Sequence, residues 1–185
     1  MDISEAIYGR RATRSFKTDQ VSETILTGLI DAAIQAPSAV NEQPWLFTVI
    51  RDKELMSRIS QEAKDHMLRT SPAGLASHHF QSILGDPDFH VFYHAPALIV
   101  ISATSGPWTT EDCALAAENM MLSAHAAGLG TCWIGFAQAW LATAAGKAAI
   151  KVPDHYVPVA PIIIGYPTSA PPRVERKPAQ IEWIS

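Results

Sequence analysis

Three arginines fall within five positions near the start of the chain: Arg10, Arg11 and Arg14 in "RRATRSF". A second basic group, Arg173, Arg176 and Lys177, stands in "PPRVERKP" close to the other end. The planar fork of arginine matches the oxygens of a phosphate monoester, which carries about two negative charges at neutral pH. If the chain ends meet, the two groups could bracket one such anion. Two separate solvated patches are the other reading of the same residues. A third stretch, "APSAVNEQPWLF" (36–47), sets Ser38, Asn41 and Gln43 beside Pro44 and Trp45. Uncharged side chains that both donate and accept suit the mixed edge of a heterocycle. The same residue types also make turns by bonding their own backbone, with Trp45 then a core residue.

Composition decides what the positive charge is for. With 185 residues, 48% hydrophobic and 17% charged, the chain is expected to form one domain over 1–185. A net charge of −4 and a pI near 5.9 argue against a nucleic-acid binder, so the arginines answer something local. The apolar runs "APALIVISA" and "VPVAPIIIG" reach about half of the roughly 20 residues a membrane span requires. No membrane partner is expected. The N-terminus carries Asp2 and Glu5 and does not read as a secretory signal. Cys113 and Cys132 form neither a disulfide framework nor a zinc pattern, which fits a reducing, cytoplasmic setting.

Several familiar chemistries fail on their spacing. "GLGTCW" offers Gly128 and Gly130, but Trp133 occupies the place of the third glycine of a dinucleotide loop. It also follows a helix and leads into a strand, the reverse of the required order. No phosphate-cradling Gly-Lys-Ser/Thr loop or Gly-x-Ser-x-Gly elbow occurs. His90 and His94 stand four apart, but Pro87 and the aromatic run "FHVFYH" weaken a helix there, and no metal is expected.

The elements that must hold these residues follow from periodicity. A short helix over 2–10 leads into the first arginines. Ile25, Leu26, Leu29, Ile30, Ala33 and Ile34 form one stripe of a helix over 22–36, with Ser22 as N-cap and Pro37 as stop. A strand is expected at 46–51, then a helix capped by Asp52 and running to about Leu68. Residues 70–90 read as a loop-rich excursion. A buried strand at 96–103 precedes a long helix that starts at Thr110 with Glu111 and Asp112 and ends near Gly128. Strand 131–136, an Ala-rich helix over 138–149 and a buried strand at 157–165 complete the order. Residues 166–185, with four prolines and a terminal "IEWI", form an extended arm whose apolar end needs a partner to bury it.

"RRATRSF", "APSAVNEQPW", "GLGTCWIGF" and "PPRVERKP", in this order and at these separations, resemble the nitroreductase family of flavin enzymes. The resemblance runs from Ile7 to about Trp183, with 70–90 unmatched. It implies an α+β fold with a central mixed sheet flanked by helices, and an intertwined homodimer that exchanges its C-terminal arms. It implies FMN at the subunit interface, and NADH or NADPH reducing a small acceptor, nitroaromatic or quinone-like, by a ping-pong mechanism. Arg10, Arg11, Ala12 and Arg14 would meet the FMN phosphate and ribityl chain, joined by Arg173 and Arg176. Pro37, Ser38, Ala39, Asn41 and Gln43 would reach the ring from the other subunit. Trp133, Ile134 and Gly135 match the segment whose backbone amide faces flavin N5. No catalytic side chain is implied, because the cofactor carries the chemistry. Ala12, Glu42 and the pair Val174–Glu175 depart from the usual pattern, which has a hydroxyl, a small neutral residue and a cation in those places. A flavin-fragmenting or dehalogenating enzyme on the same fold, or an FMN-storing or redox-sensing protein without turnover, is the alternative.

Overall fold

The computed structural model describes residues 1–70 and 78–184. Its centre is a four-stranded sheet in the order β1-β2-β4-β3, formed by β1 (Trp45–Ile50), β2 (Ala97–Thr104), β3 (Gly130–Trp133) and β4 (Tyr156–Gly165). All three pairings are antiparallel. The expected mixed sheet is thus corrected: the helical connections return the chain so that each neighbour runs opposite. The parallel contact among the described residues is an isolated bridge, Ala12 to Thr131.

Alternation along the two central strands makes this a three-layer structure. Ala97, Ile99, Ile101 and Ala103 of β2, with Ala160, Ile162 and Ile164 of β4, enter one core with α2 (Glu23–Ala33) and α5 (Thr109–Ala126). Leu98, Val100 and Ile163 enter the other, with α3 (Lys53–Thr70) and α6 (Gly135–Leu141). Each fully buried Ile or Leu contributes about 1.5–3 kcal/mol, so reversing one register would expose both faces at once. Helix α5 turns Cys113, Ala116, Ala117, Met120 and Ala124 inward, and their mostly small side chains let it lie close to the sheet. Gly128, at φ 76°, ends the helical run.

Local caps agree with the sequence at several places. Ser22 accepts the Ile25 N–H, and Asp52 Oδ1 accepts the N–H groups of Glu54 and Leu55. Helix α1 (Ile3–Gly9) carries a capping box between Asp2 and Glu5. Three expectations need correction. The strand expected to reach residue 136 stops at Trp133, because Ile134 turns the chain into α6. The Ala-rich helix over 138–149 is two helices, α6 and α7 (Ala144–Ala149), broken where the Thr143 side chain caps the second. The loop expected over 70–90 contains a helix, α4 (His78–Gly85), which contacts α3 and buries Leu84. The part of that expectation over 71–77 lies outside the described residues.

Candidate functional site

The "RRATRSF" segment is an extended strip laid between β3 and the start of the C-terminal arm. Thr13 N–H donates to Thr131 O at 2.9 Å, Lys17 N–H to Tyr166 O at 2.8 Å, and Ser15 and Thr168 share a hydroxyl bond of 2.7 Å. Gly130 makes the close approach possible. A Cβ there would fall 2.6–2.7 Å from three side-chain atoms of the buried Thr13. This strip is what brings the two ends of the chain together.

Arg11 meets Arg173 and Arg176, with Ile7, Tyr8 and Glu175, around a cavity of about 820 Å³. Three guanidinium groups face one carboxylate there. Arg11 Nη1 donates to Tyr8 O at 2.8 Å and to Arg10 O at 2.7 Å, which fixes its stem at the end of α1. Arg10 lies on the other side of the same turn. Its Nε is 3.3 Å from Glu118 Oε1 of α5, an ion pair without hydrogen-bond alignment. The Nε atoms of Arg10 and Arg11 are both buried without a hydrogen-bond partner. A buried, unsatisfied guanidinium nitrogen calls for an acceptor. His125 belongs to this region too, lining a cavity of about 270 Å³ with Arg10, Arg11 and Thr13. Burial, then Arg10 and Arg11, hold its imidazole below the ordinary histidine range.

Arg14 separates from the other two arginines. It lines a cavity of about 400 Å³ with Trp133, Ile134 and Gly135, together with Met67, Tyr93, Cys132 and Phe136. Its guanidinium carbon lies 5.9 Å from the centroid of the Tyr93 ring. Burial raises the Tyr93 phenol above its usual value, and Arg14 opposes that rise. Tyr93 itself sits at φ 50°, a backbone conformation uncommon outside glycine, and meets Phe89 edge to face. The alternation of an extended strip explains the split: Thr13 turns into the β3 edge while Arg14 stays exposed over this cavity. Ile134 N–H donates to Pro161 O at 2.8 Å, whereas Gly135 N–H, at the first position of α6, has no partner among the described residues. Ala12 is exposed and offers only its bridge to Thr131.

The Ser38–Gln43 segment is a separate surface. Residues Ala39–Asn41 form a 3₁₀ turn. Ser38 Oγ accepts the Gln43 N–H at 2.9 Å, and Gln43 Nε2 donates to Asn41 Oδ1 at 3.1 Å. Asn41, Glu42, Gln43 and Pro37 are exposed, and none shares a lining with the arginines. The turn reading therefore fits Ser38, which bonds the local backbone, whereas Asn41 Oδ1 accepts from the Gln43 side chain and the Asn41 side-chain nitrogen carries no bond among the described residues. Trp45 is more than core filler, since its Nε1–H donates to Asp112 O at 2.9 Å.

Sequence reasoning missed Tyr93, Phe136, Met67, Glu118 and His125. Tyr93 follows the unmatched stretch and carried no spacing signal. Glu118 and His125 lie on α5 among residues that read only as helix. The His90 and His94 rings lie with centroids 4.4 Å apart, tilted by 42° to each other. Phe92 N–H donates to His90 Nδ1 at 3.2 Å, which leaves the Nε2 proton facing Ser57 Oγ at 3.4 Å.

The family model described as "Nitroreductase family" matches residues 7–166. The chain belongs to the nitroreductase family. It is similar to a putative NADH dehydrogenase/NAD(P)H nitroreductase of Methanothermobacter thermautotrophicus, 30% identical, with 92% of this chain and 80% of that protein covered. Its fold is similar to that of a Bacteroides fragilis nitroreductase solved with bound FMN, at a TM-score of 0.83 and 23% identity, covering 100% of this chain and 98% of that one. It is also similar in fold to an iodotyrosine deiodinase bound to FMN and 3-iodo-L-tyrosine, at a TM-score of 0.78 and 19% identity, with both chains fully covered at 100%. No helix among the described residues is long and apolar enough to cross a membrane.

Proposed function

We propose that this member of the family is an FMN-dependent oxidoreductase. It takes hydride from NADH or NADPH and delivers electrons to a small organic acceptor, nitroaromatic or quinone-like, in ping-pong order. The observation that carries the reading is the meeting of Arg11, Arg173 and Arg176 on one cavity, three residues along the strip from Arg14 beside Ile134 and Gly135. That is the layout of a monophosphate joined to a flat polar group, and FMN has both.

The chain's own residues fit FMN. Arg11, whose buried Nε lacks an acceptor, would hold the phosphate with Arg173 and Arg176 from the arm, and Arg10 would join from the second cavity, which it lines with Arg11. Charge-assisted contacts of this kind are the strong ones in a partly enclosed site. Arg14 places its positive charge at the polar edge of the ring cavity, with Trp133 and Tyr93 as its walls. Gly135 N–H, rather than the Ile134 amide already given to Pro161, would be the donor to the reacting edge. When bound, FMN supplies hydride acceptance and release at N5. A preorganised backbone donor there stabilises developing negative charge without proton transfer from a side chain.

Two exposed features call for a second subunit. Ser38 and Asn41 present polar groups that meet no arginine of their own chain. Ile181, Trp183 and Ile184 at the end of the arm are 68%, 88% and 94% exposed, an unfavourable state for apolar side chains of this size. A homodimer with exchanged arms brings the Pro37–Gln43 segment to the neighbour's flavin and covers the arms. Anaerobic rapid mixing with NADH, then NADPH, followed by a quinone, tests the activity. Loss of the yellow absorbance in the first step and its return in the second are expected. A flavin that neither nucleotide reduces would instead mark a storage or sensing protein.

A further inference from the structure

Asp112 is only 4% exposed, yet no cation pairs with it among the described residues. A buried carboxylate is costly unless hydrogen bonds compensate it. Its position in the first turn of α5 gives it the helix dipole, but the exposed Glu111 beside it has the same benefit without burial. What burial gives Asp112 is reach into the segment before β1. Its Oδ1 accepts the Ala39 N–H at 2.9 Å, and its backbone carbonyl accepts Trp45 Nε1–H at 2.9 Å.

The segment between those two anchors is strained. Val40, Asn41 and Gln43 have φ of 44°, 58° and 50°. Asparagine tolerates that region, but a β-branched valine there is an outlier. Packing does not hold it, because Val40 is 89% exposed. The remaining bonds of residues 38–43 are internal: Ser38 with Gln43, Gln43 with Asn41, and the turn bonds of Asn41 and Glu42. Strained backbone persists only where its surroundings over-determine it, and such strain gathers at ligand-holding sites. Among the described residues, Asp112 supplies the one side-chain hydrogen bond that ties residues 38–43 to the rest of the fold.

We propose that Asp112 is a positioning residue for flavin binding. By anchoring Ala39 and Trp45 it holds residues 38–43 in the shape that presents Ser38 and Asn41 to the flavin of the neighbouring subunit. This rests on the proposed function. Asp112 touches no substrate and acts through the segment it fixes.

The test compares Asp112→Ala with Asp112→Asn in the full-length protein. Asparagine keeps an acceptor oxygen for the Ala39 N–H, whereas alanine does not. FMN affinity is read by quenching of flavin fluorescence. Amide hydrogen exchange of the flavin-free protein is read at residues 38–43 and, as a control, in β2 and β4. Asp112→Ala is expected to weaken FMN binding by about tenfold or more and to speed exchange selectively at 38–43. Asp112→Asn is expected to restore affinity to within about threefold and to restore protection. An alanine variant with unchanged affinity overturns the role. So does exchange that rises equally in the sheet, or an asparagine variant as weak as alanine. A wild-type protein that takes up no FMN removes the proposed function and this role together. A wild type that binds FMN while Asp112→Ala binds it equally well removes the role alone.

Discussion

Replacing Arg176 by alanine separates a shared anion site from two unrelated basic patches. Arg176 is exposed and makes no ion pair or hydrogen bond among the described residues, so its loss should change fold stability by no more than about 0.5 kcal/mol. In the flavin complex it would lose a charge-assisted contact to phosphate. Such contacts contribute about 1.5–3 kcal/mol, and an arm open to solvent belongs at the low end through screening. About 1.5 kcal/mol, roughly tenfold in Kd, is the expected loss. Arg11→Ala differs in kind, because Arg11 Nη1 also bonds Tyr8 O and Arg10 O. It should weaken FMN binding by about one to two decades and the fold by about 1 kcal/mol. If both groups hold the same phosphate, the double variant deviates from additivity by at least about 0.5 kcal/mol. FMN titrations monitored by fluorescence, paired with urea unfolding of each flavin-free variant, give all four corners of the cycle. Unchanged FMN affinity in Arg176→Ala, with a loss in Arg11→Ala, would refute the claim that both chain ends serve one anion.

Gly130→Ala forces a methyl group into Thr13, so it should cost about 1–3 kcal/mol in urea unfolding and also weaken FMN binding by displacing the arginine strip. Adding Thr13→Gly, which removes all three clashing atoms including the Cβ at 2.7 Å, should restore part of both losses, and no restoration would mean the contact is not the cause. His90 has its pKa lowered from 6.5 to about 4 by burial, then by His94 and Lys64, so the unfolded chain binds more protons between those values. The stability that its neutral form contributes is complete above about 6.5 and is lost as pH falls toward 4. The ring is half-exposed, so screening reduces the full linkage to about 1–2 kcal/mol. Urea midpoints from pH 7 to pH 4 should fall less steeply in His90→Gln than in the wild type, and parallel curves would contradict this. Removal of residues 178–185 should shift the mass measured by light scattering from dimer toward monomer at low micromolar concentration. An unshifted dimer would show that the arm is dispensable for association.

Much of the scaffold was legible because its signals are local. Ser22, Asp52 and the apolar runs of β2 and β4 give caps and buried strands from neighbouring residues alone. The errors arose where tertiary contacts overrule propensity. "TCWIGF" reads as one strand, yet after the Ile134 amide bonds Pro161 O, in register with β3, the chain turns into α6 at Gly135. The buried strands form where the apolar runs place them, but nothing in a single strand states whether its neighbour runs parallel, and the sheet proved antiparallel. The arginine cluster was visible by charge, whereas its division between two cavities depends on the β3 edge and on Gly130 opposite Thr13. Asp112 looked like an ordinary first-turn acid. Its bond to Ala39 spans elements far apart in sequence, and no periodicity reports such a contact.

The central claim is that the meeting basic groups hold a flavin monophosphate. The absorbance spectrum of the purified protein, followed by chromatography of the material released on denaturation, tests it most directly. Two visible bands of a bound flavin, with the released cofactor running as FMN at about one per subunit, are the predicted result. Release of FAD, or a protein that stays colourless after incubation with excess FMN, would contradict it.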